Sequence, residues 1–436
     1  MVSKHRLFTI YFSYLIACPL ALISIRELRV ASFDEKVPKG QFSFYGLVRN
    51  TSYWDSRQVV GFFDDLALAF PERKVFDIKH RDINAKGQFD TVLLETRTHL
   101  DFTGPNVAHA KSYIALETDF LGTLDTIRQL ELVNLLRLRL AAAKLKWEHF
   151  SIIFGQYWHP MLTPECYVDT ISYDSGGPID LYVRSPQIRL TYYNKHLEFF
   201  CAATTELTSE SDGPIGISST YMRNAIVPNL HAQIQGKFKN HFIGWGIDYK
   251  RLVPRLKTNK DIKTSTALNS FATLIYAALN WPSFAFNAKL IYGDNLLDYN
   301  GLGGYAVSTV NPATDKRTYA NLRNLSFWID MAFKRKTYEP GLFIGVNKNL
   351  GATKPIIQSI TNSDGIAEDT LYSFGANINT LFRINPRMRW FIKNFTIGTE
   401  FEYTRAVFGT INCMGRVDNT QPVGNTRLLF VLTYLF

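Results

Sequence analysis

Five consecutive residues, Asp174-Ser175-Gly176-Gly177-Pro178, match a motif that carries the nucleophilic serine in one large class of proteases. That chemistry needs a histidine to take the serine proton and an acid to orient the histidine. The surroundings fail it: Tyr173 stands where those enzymes place Gly, and none of the nine histidines sits in a recognisable base motif. A Ser-Gly-Gly-Pro turn within a long loop accounts for the segment. His149 and His159 stand ten apart across a strand, which is not metal spacing, and no Gly-rich loop follows a strand and opens a helix. No enzyme activity, cofactor or metal is expected.

Charge facing charge is the more specific pattern. One parity of 94–102 carries Glu95, Arg97, His99 and Asp101, and one parity of 111–120 carries Lys111, Glu117 and Asp119. Arg137 and Arg139 alternate with Leu136, Leu138 and Leu140, and Gln187, Arg189 and Thr191 alternate with Ile188, Leu190 and Tyr192. Neighbouring strands of this kind bring acids and a row of arginines to one inner wall, with Arg49 joining on parity. The fixed donor fork of arginine suits carboxylates and phosphates. Two roles stay open: these arginines contact passing solutes, or they brace the wall against Glu95, Glu117 and Asp119. Downstream, residues 159–183 form a long connection holding Glu165, Asp169, Asp174 and Asp180. Folded inward, an acidic loop opposite an arginine wall would sort solutes in a narrow aqueous pore.

The elements that must position these groups are strands. From Gln41 onward, alternating segments of about ten residues recur. In 230–239, Leu230, Ala232, Ile234 and Phe238 alternate with His231, Gln233, Gln235, Lys237 and Lys239; in 325–334, Leu325, Phe327, Ile329, Met331 and Phe333 alternate with Ser326, Trp328, Asp330, Ala332 and Lys334. Short turns are expected at 104–106, 146–148, 194–196, 239–241, 281–283, 336–340 and 385–387. Longer connections fall at 54–89, 121–131, 159–183, 207–227, 253–263, 294–322, 351–369 and 408–423. Short and long alternate, giving about sixteen strands with both ends on the short-turn side. The chain closes on Phe430, Leu432, Tyr434 and Phe436, the apolar parity of a lipid-facing strand.

Composition agrees with a transmembrane antiparallel β-barrel. Aromatics make up 14% of the 436 residues and charged residues 20%, and past residue 30 no apolar run reaches membrane-helix length. A sandwich or propeller would alternate too, but the loop asymmetry and the aromatics at strand ends favour a membrane wall. The net charge of +10 comes with no basic helix or stripe, so nucleic acid is not an expected partner. Lys4, His5 and Arg6 precede an apolar stretch, so 1–30 reads as a signal peptide, 31–40 as a short periplasmic tether and 41–436 as the barrel. Leu15-Ile16-Ala17-Cys18 has the shape of a lipoprotein site but lacks a polar tether after it. Setting Cys18 aside leaves Cys166, Cys201 and Cys413, an odd number without ligand spacing.

Four segments carry a resemblance: Phe42-Ser43-Phe44-Tyr45-Gly46-Leu47-Val48-Arg49-Asn50, Leu136-Arg137-Leu138-Arg139, Phe154-Gly155-Gln156-Tyr157-Trp158-His159-Pro160-Met161 and Arg184-Ser185-Pro186-Gln187-Ile188-Arg189. In order and spacing they resemble the DcaP-like porins and their relatives in Bacteroidetes outer membranes. The resemblance implies a sixteen-stranded homotrimeric channel in the bacterial outer membrane, with dicarboxylates as family substrates. It also implies that Phe430, Leu432, Tyr434 and Phe436 form a signal read by the barrel assembly machinery. The expected function is passive diffusion of small hydrophilic solutes with outer-membrane lipids around the wall, Arg49, Arg97, Arg137, Arg139 and Arg189 lining the pore as its bases, and Glu95, Glu117, Asp119, Glu165, Asp169 and Asp174 as its acids. The alternative is a structural or adhesive barrel whose lumen is plugged by its loops.

Overall fold

A computed structural model describes residues 32–122, 135–361 and 367–436; the expected signal peptide and most of the 121–131 connection lie outside these residues. Sixteen antiparallel strands close into a barrel. In chain order they are β1 (Phe42–Asp55), β2 in two pieces (Gln88–Val92 and Arg97–Thr103), β3 (Lys111–Gly122), β4 (Leu135–Lys146), β5 (Phe150–Trp158), β6 (Arg184–Tyr193), β7 (Leu197–Thr204) and β8 (Asn229–Phe238). The second half comprises β9 (His241–Leu252), β10 (Leu268–Asn280), β11 (Phe284–Asp294), β12 (Arg317–Phe333), β13 (Tyr338–Ala352), β14 (Ile378–Ile392), β15 (Phe395–Ile411) and β16 (Val417–Leu435). The seam is β1 against β16, in register from Leu47↔Leu435 to Asp55↔Arg427. Phe436 extends it, exchanging both backbone hydrogen bonds with Gly46. A closed barrel leaves no unpaired edge, which is what a strand wall needs in lipid.

Alternation decides which side chains meet which solvent. Phe44, Ile114, Leu116, Leu136, Leu138, Ile188, Leu190, Trp245, Phe327 and Phe430 point outward and are exposed. Their neighbours Arg97, Glu117, Arg139, Gln187, His231, Gln233, Asp330, Glu400 and Arg427 point inward and are buried. Polar inside and apolar outside is the reverse of a water-soluble fold, and it identifies the outer surface as a lipid-facing one. Among the described residues no helix is long and apolar enough to cross a membrane.

Several expected boundaries move: the connection expected at 294–322 ends where β12 begins at Arg317, and that expected at 351–369 runs on to β14 at Ile378. Asn385-Pro386-Arg387 is no turn but the middle of β14, which runs unbroken to Ile392 before a turn at 393–394. Pro386 is tolerated there with a local loss of pairing: the register to β15 passes from Ile384↔Tyr403 directly to Arg387↔Glu400. The last long connection shrinks from 408–423 to 412–416, because β15 and β16 pair well past the height of the other strands.

Candidate functional site

On the wall made by β1 to β4, the acids and arginines form one network. Cross-strand register sets Asp119 opposite both Arg97 and Arg137. Arg137 grips Asp119 with two bonds, Nε–Oδ1 at 2.9 Å and Nη2–Oδ2 at 2.7 Å. Arg139, wholly buried, reaches Glu117 at 2.5 Å and Asp119 at 2.9 Å. Arg49 pairs with Glu95 at 2.8 Å, and Arg97 stands 3.8 Å from Glu95 and 3.9 Å from Glu117. Alternation explains why they share a face, and burial explains why each charge needs its partner. Arg189 stands apart, donating to the Trp158 carbonyl at 2.7 Å and to Gln187 Oε1 while packing over Phe200.

The connection 159–183 crosses the barrel interior and is held on the far wall, on β11 to β15. Asp169 pairs with Arg389 at 2.9 Å, Asp180 with Lys289 at 2.9 Å, and Asp174 with Arg383. Glu400 accepts the backbone N–H of Ile171 at 2.6 Å and that of Ser172 at 3.3 Å. Between these polar ties lies an apolar contact. Cys166, Val168, Ile179 and Leu181 of the loop are buried in one cluster with Leu274, Tyr276, Trp328 and Phe343, inward-pointing residues of the wall. Fully burying each such aliphatic side chain is worth about 1.5–3 kcal/mol. Gly398 makes room for the loop, since a β-carbon there would meet Ile171 Cδ1 at 3.1 Å.

The loop's acids therefore do not pair with the arginine wall named from the sequence; what the loop offers that wall is neutral, the Ile171 carbonyl to Arg49 and the Tyr173 and Tyr182 hydroxyls to Arg137 and Arg139. Its acids Asp169 and Asp174 answer a second set of cations, Arg389 and Arg383, while Glu95, Glu117 and Asp119 answer the first. Glu165 alone among the loop acids named beforehand shares a cavity with Arg189. The second cation set had a signal: Arg383, Arg387 and Arg389 fall on one parity, but placing a turn at 385–387 cut that strand in two. Trp328 on the polar parity of β12 was a further sign that part of the lumen is covered. Among the described residues Ser175 Oγ donates to the Tyr173 carbonyl, at 3.5 Å.

Cavities remain on either side of the loop. One of about 480 Å³ at the long-loop end is bordered by Arg137, Tyr173, Tyr182, Arg184 and Thr208. Another of about 390 Å³ at the short-turn end is bordered by Glu35, Lys144, Glu165, Arg189 and Glu198. The tether enters this second mouth, where Phe33 stacks on Tyr157 with ring centroids 5.2 Å apart and Glu35 meets Lys144 at 2.8 Å. Burial works to raise the Glu35 carboxyl, and the adjoining Lys144 and Lys146 hold it below its ordinary range.

No protein-family model and no curated protein matches the chain. Solved structures do. The chain is similar to an anion-selective porin from Comamonas acidovorans, at 8% identity over 91% of this chain and 99% of that one, with a TM-score of 0.52. It is also similar to a loop-L8 deletion mutant of OmpT, an outer membrane protein of Vibrio cholerae, at 10% identity over 91% and 99%, with a TM-score of 0.51. A trimer form of in-vitro folded OmpT aligns at 8% identity over 92% and 100%, with a TM-score of 0.50. At these identities the likeness defines the fold: a sixteen-stranded transmembrane barrel of the outer-membrane porin type.

Proposed function

We propose that this outer-membrane barrel is a porin, a non-enzymatic channel through which small hydrophilic solutes diffuse. The observation that carries the reading is a closed barrel with a charged lumen, an inward loop and a cavity on each side of it, of about 480 Å³ and about 390 Å³. A low-dielectric wall around fixed charges focuses the field on passing ions, so few groups suffice to set preference. Anions are the favoured class, because Arg184 and Arg189 line the two cavities with no carboxylate salt-bridged to them among the described residues. The motifs around Arg137, Trp158 and Arg184 support a place among DcaP-like porins with dicarboxylate solutes. The trimer form of one similar structure supports a homotrimer in outer-membrane lipid, built by the barrel assembly machinery from the Phe430, Leu432, Tyr434, Phe436 strand.

One set of contacts favours a second reading, a barrel closed by its own segments. The loop acids are ion-paired to the far wall and the tether occupies the short-turn mouth. Single-channel recording in planar bilayers decides between them. Discrete conductance steps with a reversal potential displaced toward anions are expected. A folded, heat-modifiable barrel that passes no current would sink the porin reading and leave the plugged one.

A further inference from the structure

We propose that Arg184 is the oxyanion-binding group of the long-loop cavity, a site that takes the carboxylate or phosphate group of a solute before it meets the loop. The inference deepens the porin reading and rests on it. Arg184 opens β6 and is only 6% exposed, yet its Nε and Nη1 have no hydrogen-bond partner. Five guanidiniums stand on this side of the lumen, those of Arg49, Arg97, Arg137, Arg139 and Arg184, beside Glu95, Glu117 and Asp119, while a further carboxylate, Asp101, faces His99 at 3.1 Å. The first four share Glu95, Glu117 and Asp119; none of the three pairs with Arg184 among the described residues. A buried cation with unmade N–H bonds is costly, and an arriving anion removes that cost.

The side chain is also held in place. Trp158, opposite Arg184 in the β5–β6 register, lies with its ring 5.3 Å from the Arg184 guanidinium, and the Thr208 hydroxyl holds the Arg184 carbonyl at 2.6 Å. Arg184 lines the 480 Å³ cavity, and the planar donor fork of a guanidinium is the shape that carboxylate and phosphate oxygens fit. Arg137 lines the same cavity as a second positive charge. Of the carboxylates on that cavity, Asp174 is taken by Arg383, and Glu210 and Asp212 belong to the 205–228 loop.

The test records chloride current through single channels of the full-length protein while inorganic phosphate, and in a parallel series acetate, is added. Wild-type current should fall with either anion, more steeply with phosphate if a tetrahedral group is preferred and with acetate if a planar one is. In Arg184→Gln the half-blocking concentration should rise about tenfold to a hundredfold, the loss of one charge-assisted hydrogen-bonded partner. Arg184→Lys, which keeps the charge but not the fork, should fall between. Equal block in all three channels would overturn the assignment while leaving the porin reading intact. Should the wild type pass no current, calorimetric titration of phosphate into the detergent-purified barrel takes over. Binding that Arg184→Gln abolishes would support the site; no binding to the wild type would overturn it. Heat-modifiable gel mobility of each variant establishes that it folded.

Discussion

The two charged walls of this lumen solve the same problem differently. On β1 to β4, Glu117 and Asp119 neutralise Arg137 and Arg139 across adjacent strands, so the wall is complete in itself. On β11 to β15, Arg389 and Lys289 face a loop more than 100 residues away in sequence and are neutralised by it, although Asp330 and Glu339 also answer Arg387 and Arg389. The first arrangement braces the barrel. The second clamps the 159–183 loop to it. Charge reversal on the first wall is therefore expected to damage assembly, and neutralisation on the second to change permeation in a barrel that still forms.

The largest effect should come from Arg139→Glu, which would set a third carboxylate beside Glu117 and Asp119 in a fully buried position. Breaking a buried pair costs about 3–5 kcal/mol, before the added repulsion. Heat-modifiable barrel in the membrane fraction should be nearly lost for this variant and for the Arg137→Glu, Arg139→Glu pair. A well-folded double mutant with its reversal potential moved toward cations would show instead that these arginines serve solute, and the comparison would collapse.

On the loop-bearing wall, Arg383→Gln removes the partner of Asp174 and the donor to Gly177 O at 2.7 Å. An unpaired carboxylate on a loop can swing to water, and Glu402 of β15, which loses its 3.3 Å pairing with the same guanidinium, keeps the hydrogen bonds it accepts from Thr404 and Asn385, so folded yield should fall far less than for Arg139→Glu while conductance and current noise rise. Shortening 173–180 should raise conductance further and displace the reversal potential toward anions, because Arg383 and Lys289 then face the lumen without Asp174 and Asp180. Unchanged conductance in a folded deletion barrel would mean that this segment does not limit the pore.

What could be read from the chain follows from how far apart the partners lie. Strand number, the polar parities and the Arg137, Arg139, Glu117, Asp119 face are legible because alternation and hairpin register are local. The loop's partners are not: Asp169 to Arg389 spans 220 residues, and no pattern within either segment points to the other. Proline misled at one place. Pro386 reads as a turn, yet β14 absorbs it with a skipped pairing. Large apolar residues on the polar parity, Tyr276, Trp328 and Phe343, were a visible trace of the clamp beside the Arg383, Arg387, Arg389 parity, since a water-filled lumen has no use for them.

A packing test separates the clamp's apolar contribution from its ion pairs. Gly398→Val leaves every charge in place but puts side-chain atoms where Ile171 Cδ1 already sits 3.1 Å from a β-carbon position. Overpacking of this kind costs about 1–3 kcal/mol. Displacement of the loop should raise conductance less than Arg383→Gln does. If the two variants match, packing rather than charge seats the loop.

The smallest effect addresses one of the places where the loop touches the first wall, which it also meets through Arg49 at Ile171 O and Arg139 at the Tyr182 hydroxyl. Tyr173 of the loop accepts a hydrogen bond from Arg137 Nη2 at 2.9 Å, so the bracing wall and the clamped loop share this hydroxyl. Tyr173→Phe removes this charge-assisted bond, worth about 1.5–3 kcal/mol at most, and leaves Asp119 still bound to Arg137 in two places. Folded yield should not change, because the wall is complete without the loop. Freed of that acceptor, Arg137 should present more of its charge to the cavity it shares with Arg184, moving the reversal potential slightly toward anions at low salt and not at high salt, where screening shortens the reach of the field. A drop in barrel assembly from this single hydroxyl would mean that the loop braces the first wall as well, and that the two regions are one structural unit.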